Sequence, residues 1–488
     1  MYLKTVFSFL LFAFPAFVFS QTKQTLSPFE KLNTYLVSLQ NDDDLAHANW
    51  GFCLMDPGNG QVLAQFDKDR SLVPASGMKA ITTLSALQIL GSEYSYTTTL
   101  EHDSIITEGV LQGNLYITGS GDPSLGSNRI AGYHSFDTLV NDWAKQLKSK
   151  GIKTIKGNVI ADAGAFEDYS TPGSWNWDDI GQYYGAGPFG LNVYENAYTL
   201  YFSSTKTTSR LDSIYPSIEG LTVFNDTKVG GGDAFIFGAP DSYYRYVVGG
   251  VPASRKQFTV EGSMPDPPLF LATELKKALE KNSIIVEQQP TTMYALKRIG
   301  IKLKNKRTVL LKHTSAPISE MIKQTNAESI NLYAEALLKT IGKYQLNDGS
   351  TVSGVKVVRS YWTEKGLDLK GFNMEDGSGL SRLNVITPQQ MCNFLKYAYS
   401  KNNFNVFKNS LAVAGETGTM ENLCTGTIAE GNIFAKSGSM SKVRSYSGYV
   451  KTQSGQLYCF SIIMNNYTCG SAEIRQKLEK MMVLMAGL

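Results

Sequence analysis

The sequence predicts a mixed α/β chain of the α+β kind, in which one domain is split by a large insertion. Three observations predict it. Residues 50 to 66 read as a strand hairpin that leads into a helix begun at Pro74-Ala75. After Tyr94 the character changes, and residues up to about 310 are rich in Gly, Thr, Tyr and short alternating strands. Helical spacing then returns, and Asn432 to Asn465 reads as three strands closed by an amphipathic helix.

The first hairpin has an apolar run at Trp50 to Met55, a turn at Asp56-Pro57-Gly58-Asn59-Gly60, and a second run at Val62 to Phe66. The helix after Pro74 places Met78, Ile81, Leu84, Leu87 and Leu90 on one buried stripe and stops at Gly91. Two helical stretches interrupt the strand-rich part, near Phe136 to Lys150 and Leu269 to Lys281. A basic stretch from Lys297 to Arg307 alternates charge with apolar residues, as a half-buried hairpin with a cationic outer face would. From Ser315 helical spacing resumes with Ile318, Ile322, Ile330, Leu332, Ala336 and Leu337. In the closing helix, Ile474, Leu478, Met481, Met482 and Met485 pack on the preceding sheet, since a basic face for membrane contact is lacking.

These changes of pattern divide the chain into a signal peptide at 1–20, a split main domain at 21–93 and 313–488, and an inserted region at 94–312 of one or two small mixed domains. At 488 residues the chain is long enough for two or three cores. The signal rests on Lys4 followed by the apolar, Phe-rich run Val6 to Phe19, too short to span a bilayer comfortably, with cleavage expected near Ser20. No Cys stands at that boundary to carry a lipid, so export to the periplasm without a transmembrane anchor is expected. A net charge of +3, with 18% charged residues, points away from nucleic acid.

Five cysteines, Cys53, Cys392, Cys424, Cys459 and Cys469, are too scattered for a disulfide scaffold. Cys53 and Cys459 fall in apolar runs and read as buried small hydrophobes; Cys424 and Cys469 are the pair left to consider for a bridge. Four widely spaced His and no Cys-x-x-Cys predict no metal site, and no cofactor is expected. The glycine clusters Gly119-Ser120-Gly121 and Gly230-Gly231-Gly232 lack the Lys-Ser or Lys-Thr of a phosphate loop and read as turns. Trp175 and Trp177, near Tyr183 and Tyr184, read as a domain-packing aromatic cluster, with sugar stacking as the less common use.

Chemistry concentrates in three short motifs: Ser76-Gly77-Met78-Lys79, Ser329-Ile330-Asn331 and Lys436-Ser437-Gly438. Each alone arises by chance, as a helix cap or a polar helix start. In this order they form the triplet of serine acyl-transfer enzymes that bind penicillin. Ser76 and Lys79 lie one helical turn apart, so a lysine kept poorly hydrated, with Lys436 as a second cation, can take the serine proton. Ser329 can pass a proton to the leaving amine and Asn331 can hold a substrate amide. Ser437 offers a hydroxyl to a terminal carboxylate, and Gly438 leaves room for substrate against the strand. Backbone N–H groups of Ser76 and Ser439 would receive the oxyanion.

Beyond the triplet, the chain resembles the low-molecular-mass penicillin-binding proteins that are D-alanyl-D-alanine carboxypeptidases and endopeptidases with a large insertion. The blocks that carry the resemblance are Pro74-Ala75-Ser76 with Lys79, Gly113 to Tyr116 leading to Gly121 to Leu125, and Ser329-Ile330-Asn331 followed by Ala334-Glu335. Asp376-Gly377-Ser378-Gly379-Leu380-Ser381-Arg382, Gly415 to Met420 and Ala435 to Ser439 complete them. The resemblance implies a transpeptidase-like domain, an antiparallel sheet flanked by helices, with the insertion accounting for the 253 positions from Ser76 to Ser329. Ser437 stands where Thr is more usual and keeps the hydroxyl, while Gly77 is a poor helix former.

The resemblance also implies a side pocket with an Asp and a Phe from the insertion and an Arg from the Asp376 block, matched here to Asp162, Phe166 and Arg382. An acid and a base together suit a zwitterionic diaminopimelic side chain. For Asp162 the competing reading is a turn residue after strand Asn158 to Ala161. The expected function is a metal-free serine DD-peptidase acting on peptidoglycan stem peptides and blocked covalently by β-lactam antibiotics. A β-lactamase or esterase using the same serine, and a non-catalytic wall-binding sensor, are the alternatives.

Overall fold

A computed structural model describes residues 1–2, 26–133, 135–303 and 306–488. The export signal expected at 1–20 therefore lies, but for its first two residues, outside the described residues. No helix among the described residues is long and apolar enough to cross a membrane.

The centre of the molecule is a six-stranded antiparallel sheet. Its order is Ala412–Val413, Ile433–Met440, Val443–Lys451, Leu457–Asn465, Asn49–Met55 and Val62–Phe66. The N-terminal hairpin thus pairs directly with the C-terminal meander, Asn49 opposite Asn465 and Met55 opposite Cys459. Period-2 alternation sends successive side chains to opposite faces. Trp50, Phe52, Leu54, Phe460, Ile462 and Met464 enter one core, and Cys53, Met55, Cys459 and Ile463 enter the other.

Helices cover both faces. Helix Pro28–Gln40, capped by Ser27 and Glu30 in a reciprocal capping box, packs with the closing helix Ser471–Ala486 on the first face. The stripe Ile474, Leu478, Met481, Met482 and Met485 is fully buried there, as its spacing predicts. On the opposite face, helix Lys79–Ile89 is buried from Lys79 to Leu87 on all sides, not along one stripe, because helices Ile318–Ala327 and Asn331–Leu346 enclose it. The mixed α/β architecture, an antiparallel sheet between helices, is the one expected from the sequence.

The chain leaves this body through strand Ser95–His102 and returns through strand Thr308–Pro317, paired antiparallel from Thr308 opposite His102 to Pro317 opposite Ser95. Both belong to a five-stranded sheet that packs with helices Phe136–Ser149 and Pro267–Lys281 around a separate core. Two three-stranded sheets, built from residues 197–263, enclose a further small core of Tyr198, Leu200, Phe202, Ile236, Val247, Val251 and Val260.

Two local readings are corrected, and the open question of a Cys424–Cys469 pair is answered. The basic stretch is not a hairpin: Lys297 and Arg298 end the helix Met293–Arg298, and no described residue from 299 to 307 is in a strand. Asp162 is the last residue of strand Val159–Asp162, not a turn after it. Cys424 and Cys469 do not bridge; all five cysteines are free and buried. Cys424 packs on Met482, while Cys53, Cys392 and Cys459 gather between the sheet and helix Pro388–Tyr399.

Candidate active site

Ser76 sits in a single 3-10 turn, Ala75–Met78, ahead of the helix that starts at Lys79. Ala75 is held at φ 48° and Ser329 at φ 63°, a region that side chains with a Cβ seldom adopt. The serine turn is fixed from outside. The Pro74 carbonyl accepts from Gly77 N–H at 3.0 Å and from the Ser445 hydroxyl at 2.6 Å. A Cβ on Gly438 would lie 2.2 Å from the Pro74 oxygen and 2.3 Å from Ser445 Oγ. The glycine of the third motif therefore lets the serine turn pack against strand Ile433–Met440, so that turn, not substrate, fills the space beside Gly438.

Lys79 is the hub. Its Nζ is 2.6 Å from Asn331 Oδ1, 2.7 Å from the Ser378 carbonyl and 2.9 Å from Ser76 Oγ. Burial lowers its pKa to about 7, with Asp376 and Glu335 pulling the other way. A neutral amine has two N–H bonds and one lone pair. Two donors serve the two obligate acceptors, Asn331 Oδ1 and the Ser378 carbonyl, and the lone pair is left facing the serine hydroxyl. The first two motifs and the Asp376 block meet in this arrangement.

Asn331 is buried, and besides accepting from Lys79 its amide donates to the Tyr184 carbonyl at 2.7 Å. Lys436 is also buried, with Nζ 2.8 Å from the Ser437 carbonyl. Its pKa falls well below the ordinary lysine value, through burial first and the charge on Lys79 second. The expected direction is thus reversed: burial lowers Lys79, and Lys79 in turn depresses Lys436. Ser437 Oγ pairs with Thr419 Oγ1 at 2.7 Å, which sets two hydroxyls side by side at the mouth of the site. Ser439 is exposed beside them.

Two buried carboxylates support the hub. Asp376 accepts four hydrogen bonds, from Trp175 Nε1, Gly379 N–H, Ser381 N–H and Asn384 Nδ2, at 2.6 to 2.8 Å. The loop from Asp376 to Arg382 is wrapped around this carboxylate, and its Ser378 carbonyl is thereby aimed at Lys79. Glu335, on helix Asn331–Leu346, accepts from Ser378 N–H at 2.7 Å, and burial with the nearby Asp376 pushes its pKa up. Neither role is legible in the sequence: Asp376 acts through a loop folded round it, and Glu335 through a helix face that meets that loop.

A cleft of about 630 Å³ opens over Ser76. Ser76, Ser329, Asn331, Arg382, Ser437 and Ser439 line it, together with Asn176, Asp178, Asp179 and Tyr184 from the insertion. Asp162 and Phe166 are not brought to this cleft. Asp162 accepts from Arg307 at 2.7 Å, and that guanidinium also lies 3.6 Å from Glu101 and over the Tyr116 ring at 3.9 Å. Phe166 is buried against Gly121 and Gly349. The acid near Arg382 is Asp179. Its pKa is raised by burial and by Asp178, and drawn back by the Tyr184 hydrogen bond and Arg382. Asp179 lies within the short helical turn Trp177–Ile180, just ahead of the turn Tyr183–Gly185, and only the folded path of that segment over Asn331 brings it to the cleft. Among the described residues, no group of His, Cys, Asp and Glu is placed to hold a metal ion.

A model of the D-Ala-D-Ala carboxypeptidase 3 (S13) family matches residues 32–488. The chain is 29% identical over 457 residues to the D-alanyl-D-alanine carboxypeptidase of Actinomadura sp. (strain R39), covering 88% of this chain and 80% of that protein. It is 24% identical over 446 residues to the D-alanyl-D-alanine carboxypeptidase DacB of Haemophilus influenzae, covering 88% of each. The crystal structure of penicillin binding protein 4 from Haemophilus influenzae superposes with a TM-score of 0.77 at 21% identity, covering 92% of this chain and 97% of that one.

Proposed function

The chain belongs to the D-Ala-D-Ala carboxypeptidase 3 (S13) family, and we propose that its serine-type DD-peptidase activity runs through Ser76 with Lys79 as the base. The observation that carries this reading is the neutral-amine geometry: Nζ of Lys79 is 2.9 Å from Ser76 Oγ, while two other acceptors take its protons. Lys79 takes the hydroxyl proton as Ser76 Oγ bonds to the carbonyl carbon of a D-Ala residue. The oxyanion is met by the backbone N–H groups of Ser76 and Ser439. The C–N bond then breaks, and the amine leaves with the proton that Lys79 took, relayed through Lys436 and Ser329, which returns Lys79 to the neutral amine. Water adds to the ester with the same lysine as base, and the regenerated Ser76 hydroxyl leaves a D-Ala carboxylate behind.

Substrate is held from both ends. Ser437 and Thr419 hydroxyls receive the carboxylate of the leaving residue, and Asn331 holds the acyl side. Arg382 with Asp179 forms the zwitterion pocket, in place of the pairing of Arg382 with Asp162 and Phe166, and suits a side chain ending in both an ammonium and a carboxylate. The catalytic part comprises 21–93 and 313–488, and the insertion 94–312 lends Asp179 and Tyr184 to the cleft. Stem peptides of peptidoglycan are the substrate, β-lactams are covalent inhibitors, and the working compartment is the periplasm.

Labelled penicillin tests the reading directly. Wild-type protein should carry one covalent, long-lived label and Ser76→Ala none. An undiminished label on Ser76→Ala would refute the assignment, and rapid penicillin turnover would instead make this a β-lactamase.

A further inference from the structure

One of the small sheets of the insertion has an unusual outer face. It consists of Thr222–Val229, Tyr244–Val251 and Ala234–Phe237, with the strand from Tyr244 in the middle. Alternation sends Val223, Ile236 and Val247 inward to the small core. The opposite set faces solvent, where a one-sided sheet ordinarily carries polar residues. Here it carries Phe224, Tyr244, Tyr246 and Phe235, all between 42% and 59% exposed.

Strand register places these rings in rows. Phe224 and Phe237 both flank Tyr246, and Phe235 is opposite Val248 in the next row. Phe224 and Tyr246 have centroids 5.0 Å apart and planes within 16°, and Phe224 and Tyr244 are 6.3 Å apart and within 20°. Beyond Phe237 the row continues to Trp177, 6.4 Å away and 54% exposed. The patch ends at the active site, because Phe235 lines the cleft over Ser76 together with Asn176 and Asp178, the neighbours of Trp177. Cross-strand aromatic pairs stabilise a sheet, but that role does not require leaving the rings in water. Contiguous exposed apolar surface of this kind marks an interaction face.

We propose that this face is a stacking platform for the glycan strand to which the stem peptide is attached. The inference rests on the DD-peptidase reading for its choice of occupant. A stem peptide reaching Ser76 is covalently tied to a chain of pyranose rings, which must lie beside the cleft. Pyranose rings present C–H faces that pack on aromatic planes, and their hydroxyls need polar neighbours. Thr222, Asp226 and Lys228, exposed on the same face of strand Thr222–Val229, supply those. The platform holds polymeric wall near the cleft and adds nothing to the chemistry at Ser76.

The test uses full-length protein and glycan strands stripped of peptide with an amidase. Wild type, the double variant Phe224→Ser/Tyr246→Ser and the aromatic control Tyr246→Trp are compared by co-sedimentation, with penicillin acylation measured in parallel. Wild type and Tyr246→Trp should bind the stripped glycan, and the double variant should bind about tenfold more weakly, the loss of about 1.4 kcal/mol. Acylation should be the same in all three. If the double variant fails to acylate for want of folding, Tyr244→Ser replaces it and must show the same selective loss. Failure of wild type to bind stripped glycan, or equal binding by the variants, overturns the platform. So does retention on intact wall that disappears after protease treatment, which would assign the face to a protein partner. Glycan binding without acylation of wild type would overturn the DD-peptidase reading and leave the platform standing.

Discussion

Trp175 Nε1 donates a 2.8 Å hydrogen bond to Oδ2 of Asp376, joining the insertion to the loop that aims the Ser378 carbonyl at Lys79. Both partners are buried, so the indole cannot be replaced by water without rearrangement. Trp175→Phe keeps most of the apolar volume and removes one of the four donors to a buried carboxylate. The expected cost is about 1–3 kcal/mol. Urea denaturation should show it as an earlier midpoint, with penicillin acylation slowed as the Ser378 loop loosens. An unchanged midpoint would show that the bond contributes nothing to the folded state.

Lys79 gives a pH prediction with a definite sign. Its pKa is about 7 in the folded protein, and in the proposed mechanism the neutral amine is the competent base. Acylation should therefore rise with pH through about 7 and level off above, falling about tenfold per unit well below that value. Stability follows the same proton. The unfolded lysine has the ordinary value of 10.5, so between 7 and 10.5 the unfolded chain binds more protons than the folded one. Stability from this group rises with pH across that window and is least favourable below about 7. Stopped-flow acylation with a chromogenic β-lactam from pH 5 to 9 checks the first part; a flat profile would exclude Lys79 as the titrating base.

Gly438→Ala isolates packing from chemistry, since no reacting group is removed. The added Cβ would meet the Pro74 oxygen at 2.2 Å, a backbone atom that cannot swing aside. The serine turn must shift, and a displacement of about 1 Å in a nucleophile can cost 10²-fold in rate. Acylation should drop by about that factor while the far-ultraviolet circular dichroism stays native. Wild-type acylation by the variant would mean that the turn tolerates separation from the strand.

Residue type and order made the candidate catalytic set readable from the sequence. Ser76, Lys79, Asn331 and Lys436 are close in space because three motifs, each legible locally, lie on elements bordering one cleft. The sheet was equally legible, since Trp50, Phe52 and Leu54 alternate with Cys53 and Met55 in a period that the two cores then use. What failed had no local signature. Arg307 ends a stretch whose alternation mimics a strand, yet it turns inward to bind Asp162 and stack on Tyr116. Asp179 stands in a single helical turn, Trp177–Ile180, too short to leave a periodic signal, and its place at the cleft follows from how the insertion folds back over Asn331. Local pattern fixes neither, because each depends on where a distant segment is delivered.

The two aspartates of the insertion can be told apart by substitution. The Arg307 and Asp162 side chains are 15% and 17% exposed, and an arginine deprived of its close partner keeps Glu101 at 3.6 Å as an ion-pair partner and the Thr118 hydroxyl at 3.2 Å. Asp162→Asn should therefore lower stability by about 1–3 kcal/mol and leave peptide selectivity as it is. Asp179→Asn should do the opposite. It removes the negative charge facing a substrate ammonium beside Arg382, so KM should rise about tenfold for stem peptides with a free zwitterionic side chain. The rise should be much smaller when that side chain is acetylated, because the ammonium is then already gone. Steady-state hydrolysis of the two peptides, with thermal melts of both variants, separates the cases. If Asp162→Asn is the variant that loses discrimination, Asp179 is not the acid of the pocket, and Arg307 must release Asp162 when substrate binds.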